Sequence, residues 1–272
     1  MNDKGNLKVI SFISGKGGVG KSVLAANVAY CIAQKNKKVL LWDANRSFPN
    51  THIFFGVEPP IRLGDVYRGI SPIEKAIFRI SDNLHILADE PASLSNGSDD
   101  TIDFIDIYGF ISKNYDYDFI LFDTPAGLND INLIVSDISD VFFLLITDEP
   151  TSLLDGYGLI KVFSKFIDVQ KIKLIVNNAI DREDGIDIAN KMNLATEKFL
   201  NLKLNLAAIF PYSRVVRQSI IKQELFVKTN PTDDISIEVQ NFSNILLKKD
   251  IQIYKTENEL IKWTTIFIIS FV

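Results

Sequence analysis

Cysteine is almost absent: Cys31 is the single one in 272 residues. That excludes an internal disulfide and any cysteine-built metal or iron–sulfur site within one chain. Its setting in an apolar run of helical period reads as a small buried hydrophobe. Histidine is nearly as scarce. His52 and His85 stand far apart without accompanying ligands, so structural roles are expected rather than a metal site. No G-x-S-x-G accompanies them, and a Ser–His–Asp triad is not indicated. A large excess of one charge is also lacking. The formal net charge of −5 argues against a dedicated nucleic-acid binder, which is normally basic. No stretch reaches the roughly eighteen apolar residues needed to span a bilayer. The start, MNDKGNLKV, is polar and runs directly into a strand pattern rather than a signal peptide, so a cytoplasmic location is expected.

With 47% apolar residues the chain can bury a sizeable core. Short β-branched runs alternate with longer segments of helical period. Strands are expected at 8–14, 38–43, 84–88, 118–123, 141–147, 173–178 and 206–210. Helices are expected at 20–35, 101–114, 151–168, 184–200, 213–224 and 233–249. Several strands are apolar on both faces, as in strands covered by helices on both sides. The alternation predicts an α/β fold with a mostly parallel central sheet, whose ligands bind outside the carboxyl ends of the strands. No repeat or low-complexity linker interrupts it, and 89–100, DEPASLSNGSDD, is the most loop-like stretch. One domain over 1–250 is expected, followed by an apolar tail over 251–272.

The first strand pattern runs into GKGGVGKS, Gly15 to Ser22. This fits G-x-x-x-x-G-K-[ST] at every position, with a strand before it and a helical run after it. Glycines let successive N–H groups turn toward phosphate oxygens, and the following helix offers its N-terminus to the same anion. Lys21 supplies a mobile charge for the β- and γ-phosphates, and the Ser22 hydroxyl can ligate Mg²⁺. Two apolar strand patterns end in carboxylates, Asp43 and Asp123. At the carboxyl ends of strands these lie near the loop, where they can hold a Mg²⁺-bound water.

Lys16 goes beyond an ordinary phosphate-binding loop. With it, the motif resembles the deviant Walker A, K-G-G-x-G-K-[ST], of the MinD/ParA ATPase family. FDTPAG (122–127) resembles that family's Walker B and switch segment. TDEPTSLLDGYGLIKVFSK (147–165) looks like the T-x-E-P-T-S-x-x-D-x-Y-x-x-I-K segment of MinD-like proteins, closest to the FlhG (FleN) subgroup of flagellar number and placement regulators. LIVNNA (174–179) and EKFLNLKLNLAAIFPYSRVVRQSI (197–220) resemble its later strands. The likeness runs from about residue 8 to 225 and implies a single-domain P-loop ATPase that binds ATP and Mg²⁺.

On that resemblance, Gly15, Lys16, Gly17, Gly18, Val19, Gly20, Lys21, Ser22 and Val23 contact the nucleotide phosphates. Lys16 reaches across an ATP-bound homodimer to the partner's phosphates. Ser22 and Asp123 position Mg²⁺, and Asp123, Thr124, Pro125, Ala126 and Gly127 form the γ-phosphate switch. Asn177 reads the adenine edge, an amide offering both donor and acceptor, and Pro211 lies beside the base. The implied output is spatial regulation of flagella or of division, through a regulatory protein partner and the membrane surface.

The chain departs from the pattern in three places. The family's D-x-D at the second strand reads Asp43-Ala44-Asn45. Asn45 can hold a water but cannot accept its proton, so either Asp43 or Asn45 places the attacking water and slow or partner-dependent hydrolysis is expected. A non-hydrolysing nucleotide switch is the alternative. The short D-Q-A-x-x-L-R element of FlhG-type proteins is missing at the start. The ParA D-x-D-P-Q signature is missing too; Arg214, Arg217 and Lys222 could form a basic patch for DNA, but a solvated face is the simpler reading and DNA is not an expected partner. Cys31 alone does not suit a metal-cluster carrier. In the tail, Leu260, Ile261, Phe267, Ile268, Phe271 and Val272 fit a helical stripe, a candidate peripheral membrane or partner-binding element.

Overall fold

The computed structural model describes residues 7–46, 48–89 and 100–248, and two short strands in the tail. Its centre is an eight-stranded sheet in the order β3-β4-β2-β5-β1-β6-β7-β8. The strands are β1 Lys8–Ile13, β2 Val39–Asp43, β3 Ile77–Arg79, β4 Leu84–Ala88, β5 Phe119–Asp123, β6 Val141–Ile146, β7 Ile172–Ala179 and β8 Asn205–Pro211. All pairs are parallel except β3 with β4. The expected α/β sheet is therefore present, with one antiparallel edge added by β3, three residues long.

Helices cover both faces because alternate strand residues point opposite ways. Ile10 and Phe12 of β1 join a core with α1 (Lys21–Ala33), α9 (Phe226–Thr229) and α10 (Asp234–Leu246). Val9 and Ile13 join the opposite layer. There α6 (Pro150–Phe163) and α7 (Arg182–Leu200) pack on β6 and β7, while α4 (Asp100–Asn114) and α5 (Asp130–Ile138) pack on β2 and β5. In that second cluster the Trp42, Phe104 and Phe122 rings meet at centroid distances of 4.5–5.5 Å, a geometry that adds to burial. Short helices α2 (Leu63–Tyr67), α3 (Ile73–Ala76) and α8 (Arg214–Lys222) and 3₁₀ turns at Thr51–Phe55 and Val169–Lys171 lie between these elements.

Cys31 is buried on α1, and burial pushes its thiol up to about 11, the inert state expected of a small core residue. His85 bonds the Tyr117 hydroxyl through Nδ1 at 2.7 Å, and His52 bonds Arg62 through Nε2 at 3.1 Å. Among the described residues no group of three or more His, Cys, Asp or Glu side chains is placed to hold a metal. No described helix is long and apolar enough to cross a membrane.

Of the loop-like stretch 89–100, residues 90–99 lie outside the described residues. In the tail, Gln252–Lys255 (β9) and Lys262–Thr265 (β10) form an antiparallel pair. Leu260, Ile261, Phe267, Ile268, Phe271 and Val272 lie outside the described residues.

Candidate functional site

The strand order brings the motifs together. β5 lies between β1 and β2, so the loop after β1 and the carboxylates ending β2 and β5 share one end of the sheet. Asp43 and Asp123 are direct register neighbours.

Gly15 through Gly20 wrap the start of α1. Gly18 and Gly20 have φ of +81° and +97°, conformations that a side chain would strain. Gly15 answers to a different constraint: a Cβ there would lie 2.2 Å from the Asp155 carbonyl carbon of α6. Helix α1 begins at Lys21 with no side-chain cap. Its first-turn N–H groups are thus left for an anion. Lys21 is buried, and its ammonium donates to Ser14 Oγ at 2.8 Å. Ser14 Oγ in turn donates to Lys16 O at 2.7 Å. Burial pulls the Lys21 ammonium below its usual range, and the Asp123 charge opposes that.

The two carboxylates differ in their surroundings. Asp43 is fully satisfied by the loop that follows it: Oδ2 accepts from Asn50 N at 2.7 Å, Thr51 N at 2.9 Å and Thr51 Oγ1 at 2.8 Å. Its Oδ1 accepts from Asn45 N at 3.2 Å. Burial raises the Asp43 pKa and these donors oppose it. Asp123 is equally buried, yet neither carboxylate oxygen has a hydrogen-bond partner. Burial first and Asp43 second raise it to about 7, while Lys21 and the Ser22 hydroxyl pull it down. An unpartnered carboxylate beside a hydroxyl is a donor set that fits a hard divalent cation such as Mg²⁺.

A cleft of about 600 Å³ opens over this end of the sheet. Gly17, Gly18, Gly20, Lys21, Ser22 and Val23 line the end formed by the glycine loop and the start of α1. Pro125 and Ala126 form a wall, and Asn45 reaches the rim, its amide exchanging bonds of 3.3 and 3.4 Å with the Phe48 backbone. Asn177 lines the far end. Its Nδ2 donates to Val19 O at 2.8 Å, and its Oδ1 is buried without a partner. Four of the expected nucleotide-binding residues, Gly15, Lys16, Val19 and Pro211, are not among those that line the cleft. Lys16 is turned to the start of α6, where it pairs with Glu149 and donates to Thr151 Oγ1 at 2.9 Å. Pro211 ends β8 beside Ala179, while its neighbours Tyr212 and Ser213 are the cleft residues.

Several site residues escaped sequence reasoning. The β7–β8 register slips between Asn177 and Ala179, and Asn178, at φ +60°, turns into the cleft beside Asn177. Only the Asn-Asn pair hinted at such a bulge. Arg217, read as part of an outer basic patch, lines the cleft. Asn132 of α5 is fully buried, and its Nδ2 donates to Pro125 O at 2.9 Å and Gly127 O at 2.7 Å. Nothing in DINLIVSDI, where Asp130, Ser136 and Asp137 are polar as well, singles it out.

A glycine-turned anion cradle, a buried lysine and a naked carboxylate at the carboxyl ends of a parallel sheet define a P-loop nucleotide-binding protein. The chain belongs to the family of CobQ/CobB/MinD/ParA nucleotide binding domains, whose model matches residues 10–226. It is 27% identical over 239 residues to the antiactivator FleN of Pseudomonas aeruginosa, covering 85% of this chain and 83% of that protein. It is also 27% identical over 253 residues to the flagellum site-determining protein YlxH of Helicobacter pylori, covering 91% and 84%. Among solved structures, the septum site-determining protein MinD of Pyrococcus horikoshii, complexed with Mg-ADP, superposes with a TM-score of 0.73 at 24% identity, covering 89% of this chain and 97% of that one.

Proposed function

We infer that this chain is an ATP-dependent dimerising ATPase that acts as a spatial regulator of flagella or of the division site. The observation that carries the reading is Asp123: a fully buried carboxylate without a partner, next to Lys21 and below an uncapped helix N-terminus. Burying such a charge is costly unless a cation joins it. Ser22 and Asp123 would hold Mg²⁺, which supplies charge neutralisation for the phosphates when bound. Lys21 would leave Ser14 for the β- and γ-phosphate oxygens. The N–H groups of Gly18, Gly20 and the first turn of α1 would cradle the same anion. Asn177 and Asn178, with Tyr212 and Arg217, would receive the base.

Water attacks the γ-phosphate in line, and its placement falls to Asn45. Asp43 is committed to four donors from its own loop, so it organises that loop rather than serving as a base. Without a free carboxylate to take the proton, turnover is slow by itself. The same observation favours a second reading, a switch that binds ATP and dimerises without hydrolysis. Lys16 would exchange its Glu149 and Thr151 contacts for the partner protomer's phosphates on dimerisation. FleN and YlxH, each matched over more than four fifths of their length, support a flagellar role acting through a regulatory protein, and the tail over 251–272 would engage a membrane surface or that partner.

The test is ATP turnover by the purified protein with and without anionic vesicles, against Lys21→Ala as the blank and a chain truncated before residue 257. Turnover above the blank, stimulated by vesicles in the full chain only, is the expected result. ATP binding with no turnover in either condition selects the switch, and absence of ATP binding refutes both.

A further inference from the structure

The segment Thr124–Gly127 forms one wall of the cleft, and its backbone donors are almost all committed. Thr124 N–H is directed at Phe12 O, 3.4 Å away, and Gly127 N–H donates to Ser14 O at 2.8 Å. Pro125 has no N–H. Ala126 N–H makes no hydrogen bond among the described residues, and Ala126 is exposed on the cleft wall.

Asn132 explains where that donor points. Its Nδ2 grips Pro125 O at 2.9 Å and Gly127 O at 2.7 Å from the buried side. Pro125 C=O and Ala126 N–H belong to one planar peptide, and in a trans peptide the two point opposite ways. Holding the carbonyl inward therefore aims the N–H outward, into the cleft. The second grip fixes the Gly127 carbonyl two residues on, and the Gly127 N–H bond to Ser14 O fixes the Ala126–Gly127 peptide between them. Asn132 is itself fixed by Asn129, which caps α5 by accepting from Asn132 N at 2.9 Å. The amide is entirely buried, so water cannot substitute for it.

We propose that Asn132 is a positioning residue for nucleotide recognition, holding the Pro125–Gly127 backbone so that Ala126 N–H is presented to a terminal phosphate oxygen. The proposal rests on the nucleotide-binding reading of the cleft. It assigns sensing of the third phosphate to one backbone donor set in advance, a form of preorganised electrostatic recognition. Asn132 touches no ligand; it acts through a peptide plane. An aspartate of the same shape cannot do this work, since it accepts only and would face two carbonyl oxygens.

The experiment titrates the full-length protein with ADP and with a non-hydrolysable ATP analogue, both with Mg²⁺, and compares Asn132→Asp, Asn132→Ala and Ala126→Pro. Ala126→Pro deletes the donor and leaves Asn132 in place. A hydrogen bond to a charged oxygen corresponds to about ten-fold or more in affinity. The expected result is a fall of about ten-fold in the ratio of analogue to ADP affinity in each variant, with ADP affinity within about two-fold of wild type. The double variant Asn132→Ala/Ala126→Pro should lose no more than either single one, because both act on one donor. A wild-type protein that discriminates while Ala126→Pro discriminates equally well overturns the inference and leaves the nucleotide reading intact. Equal loss of both ligands in the Asn132 variants, with Ala126→Pro unchanged, overturns it in favour of a purely structural amide. A wild-type protein that binds neither nucleotide overturns the parent reading and this inference with it.

Discussion

Replacing Asp123 by Asn should stabilise the nucleotide-free protein at alkaline pH. The carboxyl is held at about 7 against an ordinary 3.8, chiefly by burial. At about 1.4 kcal/mol per pH unit, keeping it ionised at pH 8 costs on the order of 4 kcal/mol. The amide leaves hydrogen-bonding capacity unmet in the same place, at about 1–3 kcal/mol. The net gain is then about 1–3 kcal/mol, which for a chain of this size raises the melting temperature by roughly 3–10 °C. The folded protein holds this proton more tightly than the unfolded chain does. Stability from the protonated form is therefore complete below about pH 4 and is lost as pH rises through about 7. The advantage of Asp123→Asn should accordingly be largest at pH 8 and shrink toward pH 5. Thermal melts at both pH values, with and without Mg²⁺ and ADP, provide the assay. Added Mg²⁺ and ADP should raise the wild-type melting temperature more than that of the variant, because only the carboxylate gains a cation. A variant that melts at or below wild type at pH 8 without ligand would refute the claim that Asp123 lies buried and unpartnered.

Two other substitutions test the site from different sides. Asn45→Asp should raise steady-state ATP turnover by on the order of 10²-fold, since it restores a proton acceptor at the cleft rim; it gives up only the Nδ2 bond to Phe48 O, worth about 1 kcal/mol, and unchanged turnover would remove residue 45 from the water's path. Gly15→Ala places a methyl carbon 2.2 Å from the Asp155 carbonyl carbon, so α6 must shift at about 1–3 kcal/mol; a melting temperature equal to wild type, with nucleotide affinity retained, would show that the contact is slack.

Much of the fold was legible because its signals are local. The seven expected strands all appear within a residue or two of their predicted ends. The elements that were missed are short: β3 has three residues, α2, α3 and α9 have four or five, and α5, DINLIVSDI, has nine, too few turns to carry a period by themselves. The site was legible where its chemistry sits in consecutive residues, as in Gly15–Ser22. It was not where chemistry depends on what a side chain finds across the fold. Asp43 and Asp123 end neighbouring strands in the same way, yet one is bonded by Thr51 and Asn50 while the other lies near Lys21 and Ser22 with neither oxygen hydrogen-bonded. Asn178 enters the cleft through a register slip between β7 and β8, which belongs to the pairing and not to either strand's own sequence. Asn132 is a tertiary clamp that no local pattern marks; only its partners, Pro125 and Gly127, give it a role.

Asn177 touches both ends of the cleft at once. Its Nδ2 already holds Val19 O inside the phosphate loop, and its Oδ1 waits without a donor. An amide whose oxygen accepts a hydrogen bond becomes a better donor through its nitrogen. A ligand group that donates to Oδ1 therefore tightens the grip on Val19, and a loop closed on an anion presents Oδ1 more firmly in return. With a nucleotide bound as proposed, base and phosphate would by reciprocity assist each other through a single side chain. Each half alone would then bind more weakly than its share of the whole.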